Sequence, residues 1–292
     1  MDIVITYVNG LDPLWQKDYE QYTNIPVLEK RFRDWNTLRY LFRGIETNMP
    51  FIRKVFLVVS KDSQVPTWIN RNKVEIVLHK DIIPAEYLPT FNSNTIEMHL
   101  HRIKELDEQF LYFNDDMFPI APCEPTDFFR DGQIVIKFSK HFLALDMFKS
   151  ICKNSNNLAR KALGLKPSYI FLRPQHICSP MLKSQCKEVY QKVQSEIIAS
   201  LTRTRTAENY TQYLFLDYIY LKGMAINEKI SKKHFSTAIA SAETIKKFIL
   251  HPKRKLMCVN DVRLSEKRYQ KLHTTILDAF DKHFPKKSIF EL

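Results

Sequence analysis

The sequence predicts an α/β fold with a mostly parallel sheet and a mainly helical C-terminal portion. Two observations carry this prediction. Short apolar runs alternate with helical spacing over the first 140 of the 292 residues, and helical spacing dominates the remainder. We therefore expect an α/β core over residues 1–140 and a mainly helical portion over residues 141–292, which together form one integrated unit.

The predicted strands are short apolar runs bounded by polar turns. In chain order they lie at residues 3–8, 55–59, 74–78, 110–113 and 134–138. The runs are apolar at successive positions instead of alternating with polar residues. Strands of this kind are buried on both faces, so we expect helices on both sides of the sheet.

The predicted helices follow from capping residues and helical spacing. Asp34 is predicted to cap a helix through Ile45, and Ser93 or Asn94 to cap a second helix through Ile103. The later helices are predicted at residues 156–163, 181–201, 207–221, 237–250 and 264–284. A proline-rich loop that contains Arg173 and His176 precedes the helix predicted at residues 181–201.

The formal net charge of +12 favours an anionic partner. Nucleic acid, an anionic membrane surface and a phosphate-bearing small substrate are the alternatives. No nucleic-acid motif and no basic helix with interleaved aromatic residues is present, so we expect no nucleic acid as partner. The sequence has only five glycines and lacks the glycine-rich phosphate motifs, so phosphate must be held by other groups.

The five cysteines and the hydropathy predict the compartment. The cysteines form no CxxC pair, which is typical of reduced thiols in the cytoplasm. No apolar run approaches the roughly 20 residues that a membrane span needs. We expect a cytoplasmic protein, and contact of its basic C-terminal helices with the inner face of the plasma membrane is an alternative role for the charge.

Two adjacent aspartates, Asp115 and Asp116, directly follow the predicted strand at residues 110–113. Ligands of parallel sheets bind beyond the carboxyl ends of the strands, and Mg²⁺ and Mn²⁺ prefer carboxylate oxygens. A metal site and a solvated turn are the two interpretations. Asn260 and Asp261 form a second such pair, which either completes an oxygen-rich site or caps a helix.

Two further side chains have functional and structural interpretations. His176 is either a proton acceptor in a reaction or a surface or core histidine with no direct function. Arg205, which precedes a predicted helix together with Arg203, either reaches phosphate or is solvated.

Taken together, these segments resemble the Stealth family of bacterial capsular polysaccharide phosphotransferases, which also includes the catalytic part of the lysosomal-enzyme GlcNAc-1-phosphotransferase. The four blocks of that family occur here in order. They correspond to residues 2–13; to 31–43, 64–70, 88–103 and 112–116; to His176, 179–184 and Arg205; and to 258–261. Asn9 stands where many members carry Asp, and Thr37 where Glu is frequent.

The resemblance implies a Rossmann-like, GT-A-like fold and a specific reaction. A saccharide hydroxyl attacks the β-phosphorus of a UDP-sugar, UMP leaves, and a hexose or N-acetylhexosamine 1-phosphate is transferred. The acceptor is an oligosaccharide, a polysaccharide or a lipid-linked saccharide, and the product is a phosphodiester in a capsular or cell-surface polysaccharide.

The resemblance also implies roles for individual residues. Mg²⁺ or Mn²⁺ binds Asp115, Asp116, Asn260 and Asp261, and Arg205 neutralises phosphate charge. His176 takes the acceptor proton, with Asp12 as second choice. The implied substrate-binding residues are Tyr7, Asn9, Gly10, Arg39, Arg43, Asn92, Ser93 and His101.

Two other functions remain open. A metal-dependent glycosyltransferase that releases UDP needs the same metal chemistry. A non-catalytic protein that binds carbohydrate or nucleic acid belongs to a different class, and it differs in making no product.

Overall fold

The computed structural model describes residues 1–23, 32, 34–262 and 264–292. The strands are β1 (Asp2–Thr6), β2 (Val55–Val59), β3 (Glu75–Leu78), β4 (Gln109–Asn114), β5 (Met117–Pro119), β6 (Phe129–Arg130), β7 (Gln133–Val135), β8 (Phe138–His141), β9 (Phe171–Pro174), β10 (Ser179–Leu182), β11 (Ala225–Ile226), β12 (Lys232–Ser236) and β13 (Leu256–Asn260). The helices are α1 (Pro13–Thr23), α2 (Leu38–Asn48), α3 (His79–Ile82), α4 (Ser93–Glu97), α5 (Met147–Ala162), α6 (Lys183–Lys192), α7 (Gln194–Ser200), α8 (Tyr213–Leu221), α9 (Ala242–Leu250) and α10 (Glu266–His283).

The central sheet has the strand order β10-β4-β1-β2-β3. Strands β4, β1, β2 and β3 are parallel, and β10 adds an antiparallel edge next to β4. Every residue of β2 is buried, as expected for a strand covered on both faces. The predicted α/β class with a mostly parallel sheet is confirmed.

A second, three-stranded sheet brings the C-terminal half to the centre of the molecule. Its order is β12-β13-β5, with β12 parallel and β5 antiparallel to β13. Since β5 follows β4 after a two-residue turn, β13 ends beside the end of β4. Buried apolar side chains from residues 3–290 join one hydrophobic core cluster.

Several predicted helix boundaries were wrong. Met181 and Leu182 belong to strand β10, which pairs with β4, so the helix predicted at residues 181–201 begins only at Lys183 and is divided into α6 and α7. Helix α8 begins at Tyr213 and α9 at Ala242, both later than predicted. Residues 232–236, just before the predicted helix start at 237, form β12.

The N-terminal caps also differ from the prediction. The N-cap position of α2 is Thr37, whose side chain makes no capping hydrogen bond, and Asp34 lies outside this helix. Asn92 caps α4, which ends at Glu97 instead of continuing to Ile103. Helix α5 begins at residue 147 under the cap of Asp146, well before the predicted start. The strand predicted at residues 134–138 is divided between β7 and β8.

Within the described ranges, none of the helices has the length and apolar character needed to cross a lipid bilayer.

Candidate active site

One cavity of about 410 Å³ lies at the carboxyl ends of the parallel strands. Each strand of the parallel part contributes the residues at which it ends or those that directly follow it. These are Thr6, Tyr7 and Val8 after β1, Ser60 after β2, His79 after β3, and Asn114, Asp115 and Asp116 after β4. Asn260 and Asp261, at the end of β13, face the same cavity. Parallel topology therefore brings distant polar segments to one edge, the usual ligand position in such sheets.

Among the described residues, four carboxylates line this cavity: Asp34, Asp115, Asp116 and Asp261. Burial and the neighbouring charges of Asp116 and Asp34 raise the pKa of Asp115 to about 7. Burial, together with the charge of Asp261, raises the pKa of Asp116 to about 6. Adjacent carboxylates in a partly buried site repel one another, so a cation between them would stabilise their charged forms.

The chemistry of these donors fits Mg²⁺ or Mn²⁺. The buried Oδ1 atom of Asp116 has no hydrogen-bond partner, although polar atoms in such positions are nearly always satisfied. Asp261 is held in place by hydrogen bonds from Trp35 Nε1 at 2.9 Å and from the Val262 amide at 2.7 Å. Carboxylate oxygens and the Asn260 amide oxygen are hard ligands of the kind these ions prefer.

Arg205 supplies positive charge on another wall of the cavity. Its Nη2 atom donates to Ser93 Oγ at 2.5 Å, and both residues line the cavity. No carboxylate of the described residues forms an ion pair with Arg205. A guanidinium held near four carboxylates but paired with none of them is suited to an anionic ligand that lies between them.

The turn after β1 contributes one predicted residue to the cavity and uses others for support. Tyr7 donates to Asp34 Oδ2 at 2.8 Å, which places both side chains on the wall. Asp12 lies outside the cavity lining and caps α1, with the Leu14 amide donating to Oδ1 at 2.9 Å and Pro13 as the first helical residue. Burial by itself raises the pKa of Asp12. Hydrogen bonds from Ser63 and Gln64 lower the pKa by more than burial raises it, so the pKa lies below its ordinary value.

Asn9 and Gly10 also support this turn and do not line the cavity. The Asn9 amide donates to Gln64 Oε1 at 2.7 Å. A Cβ atom on Gly10 would lie 2.2 Å from the carbonyl oxygen of Phe32, so only glycine permits this approach of the two chain segments.

Four other predicted substrate-binding residues lie outside the cavity lining. Arg43 donates from Nε and Nη2 to the two carboxylate oxygens of Glu291 at 2.8 and 2.9 Å, which anchors the C-terminus. Arg39 lies over the ring of Trp68 at 5.6 Å. Asn92 caps α4, and His101 packs in the core with its ring centroid 4.9 Å from that of Tyr190.

His176 is not among the residues that line the cavity. Ligand atoms of His176, His234 and Cys258 lie within 4.8 Å of one another, and we call these three residues the His/Cys cluster. Cys258 Sγ donates to Asp116 Oδ2 at 3.4 Å, which connects the cluster to the cavity. Burial and the neighbouring His234 lower the pKa of His176 to about 4, so its imidazole is neutral at pH 7.

Asp34 lines the cavity, which was not predicted from the sequence. Asp is a frequent helix cap, and a helix does begin four residues later, so capping was the simpler interpretation. The signal that was available is its position within the second block of the family. Arg31 and Arg33 of that block lie outside the described residues.

Comparison with known proteins gives the family. A profile described as Stealth protein CR2, conserved region 2, matches residues 31–136. The receptor polysaccharide phosphotransferase WefC of Streptococcus oralis is 31% identical, over 100% of this chain and 99% of its own length. The capsular polysaccharide phosphotransferase WcwK of Streptococcus pneumoniae is 30% identical, over the same shares of the two chains.

The chain belongs to the Stealth family. As a Stealth protein it is an enzyme of the phosphotransferase class, as the sequence predicted. The matched region 2 contains Asp34, Ser93, Asp115 and Asp116 of the cavity, whereas Arg205 and the end of β13 lie outside it. Among solved structures, the galactosyltransferase LgtC aligns with 94% of this chain over 96% of its own length, with a TM-score of 0.41 and 10% sequence identity. This similarity is too low to say anything about the site.

Proposed function

We propose that this Stealth protein transfers a sugar 1-phosphate from a UDP-sugar to a saccharide hydroxyl and so builds a phosphodiester into a capsular or cell-surface polysaccharide. The names of the relatives support sugar-phosphate chemistry on polysaccharide. The observation that carries the proposal is the cavity itself, which is lined by four carboxylates and by Arg205, a guanidinium that forms no ion pair within the described part of the chain. A nucleoside diphosphate with its divalent cation has the charges that such a wall requires.

The proposed reaction is a displacement at the β-phosphorus. The acceptor oxygen forms a bond to this phosphorus, the bond to the oxygen that bridges the two phosphates breaks, and UMP leaves with that electron pair. The acceptor proton passes to a base. Asp115, Asp116, Asn260 and Asp261 would hold Mg²⁺ or Mn²⁺, which when bound neutralises charge on the diphosphate. Arg205 would stabilise the phosphoryl oxygens on the other side.

His176 is the proposed base. Its imidazole is neutral at pH 7 and can therefore accept a proton, and its proximity to Cys258, which contacts Asp116, supports this role. Its low pKa makes it a weak base, so the proton should move as the new bond forms instead of in advance. Asp12 is less suited to this role, because its carboxylate already accepts hydrogen bonds from Ser63, Gln64 and the Leu14 amide.

Nucleotide analysis tests the reaction type. The chain is incubated with a panel of UDP-sugars, an oligosaccharide acceptor and Mg²⁺, and the released nucleotide is separated by chromatography. We expect UMP in proportion to the product. Release of UDP would place the chain among ordinary glycosyltransferases, and tight binding of the donor without any product would indicate a non-catalytic role.

We also propose a cytoplasmic enzyme whose lipid-linked or polymeric acceptor lies at the membrane surface. Basic residues near the C-terminal helices suggest this contact, although Lys246 and Lys282 already face Asp278 at 4.0 and 2.9 Å. Sedimentation with vesicles that contain anionic lipid tests it. Failure to sediment would remove the membrane contact and leave the proposed reaction unaffected.

A further inference from the structure

A second cavity, of about 540 Å³, lies next to the backbone of His176, because its lining includes Gln175 and also Lys232, whose Nζ donates to the His176 carbonyl. Residues from four parts of the chain form its wall. Its lining residues are Lys137, Ser139, Gln175, Lys229, Ile230, Ser231, Lys232 and Arg254. We call it the basic cavity, because four of its eight lining residues are cationic and none is acidic.

The cations of this cavity have no carboxylate partners among the described residues. Nearby basic residues outside the lining have such partners: Arg130 pairs with Glu228 at 2.6 Å, and Lys255 pairs with Asp127 at 2.6 Å. No carboxylate in the described part of the chain forms such a pair with Lys137, Lys229, Lys232 or Arg254. Four like charges around one cavity repel one another, so a bound anion would relieve an electrostatic cost that the fold otherwise carries.

The wall of the basic cavity is held by hydrogen bonds that do not use its charges. The Gln175 side chain donates to the Ile230 carbonyl at 2.8 Å and accepts from the Ile230 amide at 3.2 Å. The Gln175 amide donates to the Lys137 carbonyl at 2.8 Å. These bonds fix the segments that carry Lys137, Lys229 and Lys232 to one another, so the cationic groups are arranged before any ligand binds.

The basic cavity is connected to the reaction centre through His176. Lys232 Nζ donates to the His176 carbonyl at 3.1 Å, and His176 directly follows Gln175 of the cavity wall. Ligand atoms of His176, Cys258 and the exposed His234 lie within 4.8 Å of one another, and Cys258 contacts Asp116. A short series of contacts, through Lys232, His176 and Cys258, therefore connects the wall of the basic cavity to the carboxylates of the catalytic cavity.

We propose that the basic cavity binds a phosphate group of the saccharide acceptor and thereby directs the acceptor hydroxyl into the catalytic cavity. The inference rests on the proposed function, because that reaction requires an acceptor and leaves one phosphodiester anion with every sugar added. A phosphodiester within the growing chain and the pyrophosphate of a lipid-linked saccharide share the necessary chemistry. Lys and Arg groups recognise either through charge-assisted hydrogen bonds.

A double variant tests this subsite without touching the catalytic cavity. Lys229→Gln with Arg254→Gln removes two exposed charges from the wall. The matched control is Lys140→Gln with Lys253→Gln, which removes two exposed charges from the same region but outside the lining. Binding is measured by calorimetry without donor, for a phosphodiester-bearing oligosaccharide, a saccharide linked through pyrophosphate to a short lipid, a neutral oligosaccharide and inorganic phosphate.

We expect the test variant to bind the charged saccharides at least about tenfold more weakly, since each charge-assisted contact is worth about a factor of ten. The control should bind them as the wild type does, and neutral oligosaccharide should be unaffected. Which of the two charged saccharides loses more affinity identifies the source of the phosphate. Equal losses in the control, no loss in the test variant, or inorganic phosphate binding as tightly as the saccharides would overturn the inference.

These binding measurements stand apart from turnover. If the chain releases no UMP but the charged saccharides still depend on Lys229 and Arg254, the proposed reaction fails and the subsite remains. If UMP is released and charged and neutral acceptors bind alike, the subsite fails and the reaction remains. In an active enzyme, the double variant should raise KM for the charged acceptor while KM for the UDP-sugar stays unchanged.

Discussion

The Sγ atom of Cys258 lies 3.4 Å from Oδ2 of Asp116, and this contact joins strand β13 to the turn that follows β4. The backbone reinforces it, because the Val259 amide donates to the Asp116 carbonyl at 2.9 Å. As a consequence, Asn260 and Asp261 face the same cavity as Asp115 and Asp116 across a sequence distance of about 145 residues. We therefore expect the proposed reaction to depend on that junction.

Removal of the Asp116 carboxylate should abolish turnover without unfolding the protein. Asp116→Asn keeps the shape of the side chain but removes the charge that a hard cation requires, so we expect UMP release to fall by about 100-fold or more. Asp131→Asn is the matched control, because Asp131 is exposed and lies outside the cavity lining. Full activity of the Asp116 variant with a normal melting temperature would contradict the metal assignment.

Stability should depend on pH through Asp115 and Asp116. Their folded pKa values, about 7 and about 6, exceed the ordinary value of 3.8, so the folded state holds these protons more tightly than the unfolded state. Their contribution to stability is therefore present below pH 3.8 and is lost as the pH rises through 6 to 7. In EDTA, urea unfolding from pH 4.5 to 7.5 should show this decline, by roughly 1 kcal/mol or more.

The double variant Asp115→Asn with Asp116→Asn should reduce this decline, whereas Asp131→Asn should not. Added Mn²⁺ should also reduce it in the wild type, because the ion stabilises the deprotonated carboxylates. A pH dependence that is identical in all these samples would show that other groups cause it.

Arg205 should be needed for turnover and its neighbour Arg203 should not. Arg205 lines the cavity, while Arg203 lies over the ring of Tyr22 at 5.3 Å and outside the lining. We expect Arg205→Gln to lower kcat/KM about 100-fold, as loss of a charge-stabilising donor does in other phosphoryl-transfer sites, and Arg203→Gln to lower it little. Steady-state kinetics with varied UDP-sugar measure both, and similar losses in the two variants would contradict the assignment.

Arg43 should act on stability instead of donor binding. Its side chain and that of Glu291 are 9% and 3% exposed, and the paired geometry requires a guanidinium. We expect Arg43→Lys and Glu291→Gln each to lower the free energy of unfolding by about 3 kcal/mol, since each leaves a buried polar group without its partner. Chemical denaturation measures this change. A raised KM for the UDP-sugar in a variant of unchanged stability would return Arg43 to the donor site.

The sequence could predict the parts of the site that depend on local pattern. Asp115 and Asp116 follow an apolar run, so a sheet in which that run is parallel to its neighbours places them at the ligand edge. The association of Asn260 and Asp261 with them required the family resemblance, because nothing local to residues 256–261 reveals a pairing between β13 and β5. Asp34 was missed for the same reason, since its contact with Tyr7 spans 27 residues.

Arg43 and Asn92 do not line the cavity, and Met181 and Leu182 do not belong to a helix; both differences from the expectation have a physical cause. Arg43 and Asn92 are polar residues within a family block, and polarity alone does not distinguish a ligand contact from a buried structural bond. Arg43 pairs with Glu291, which is 248 residues away in the sequence, and Asn92 donates a hydrogen bond to Asn209, which is 117 residues away. Met181 and Leu182 continue the apolar spacing of the helix after them, and only their pairing with β4 makes them a strand.

The most direct test of the central claim follows the β-phosphorus of the donor. A UDP-sugar labelled with ³²P at the β-phosphate is supplied together with the saccharide acceptor and Mg²⁺, and label is measured in the saccharide product and in the nucleotide fraction. Attack at that phosphorus predicts label in the product, in equal amount to the sugar transferred, with unlabelled UMP. Label that remains with the nucleotide while sugar is transferred would contradict the account.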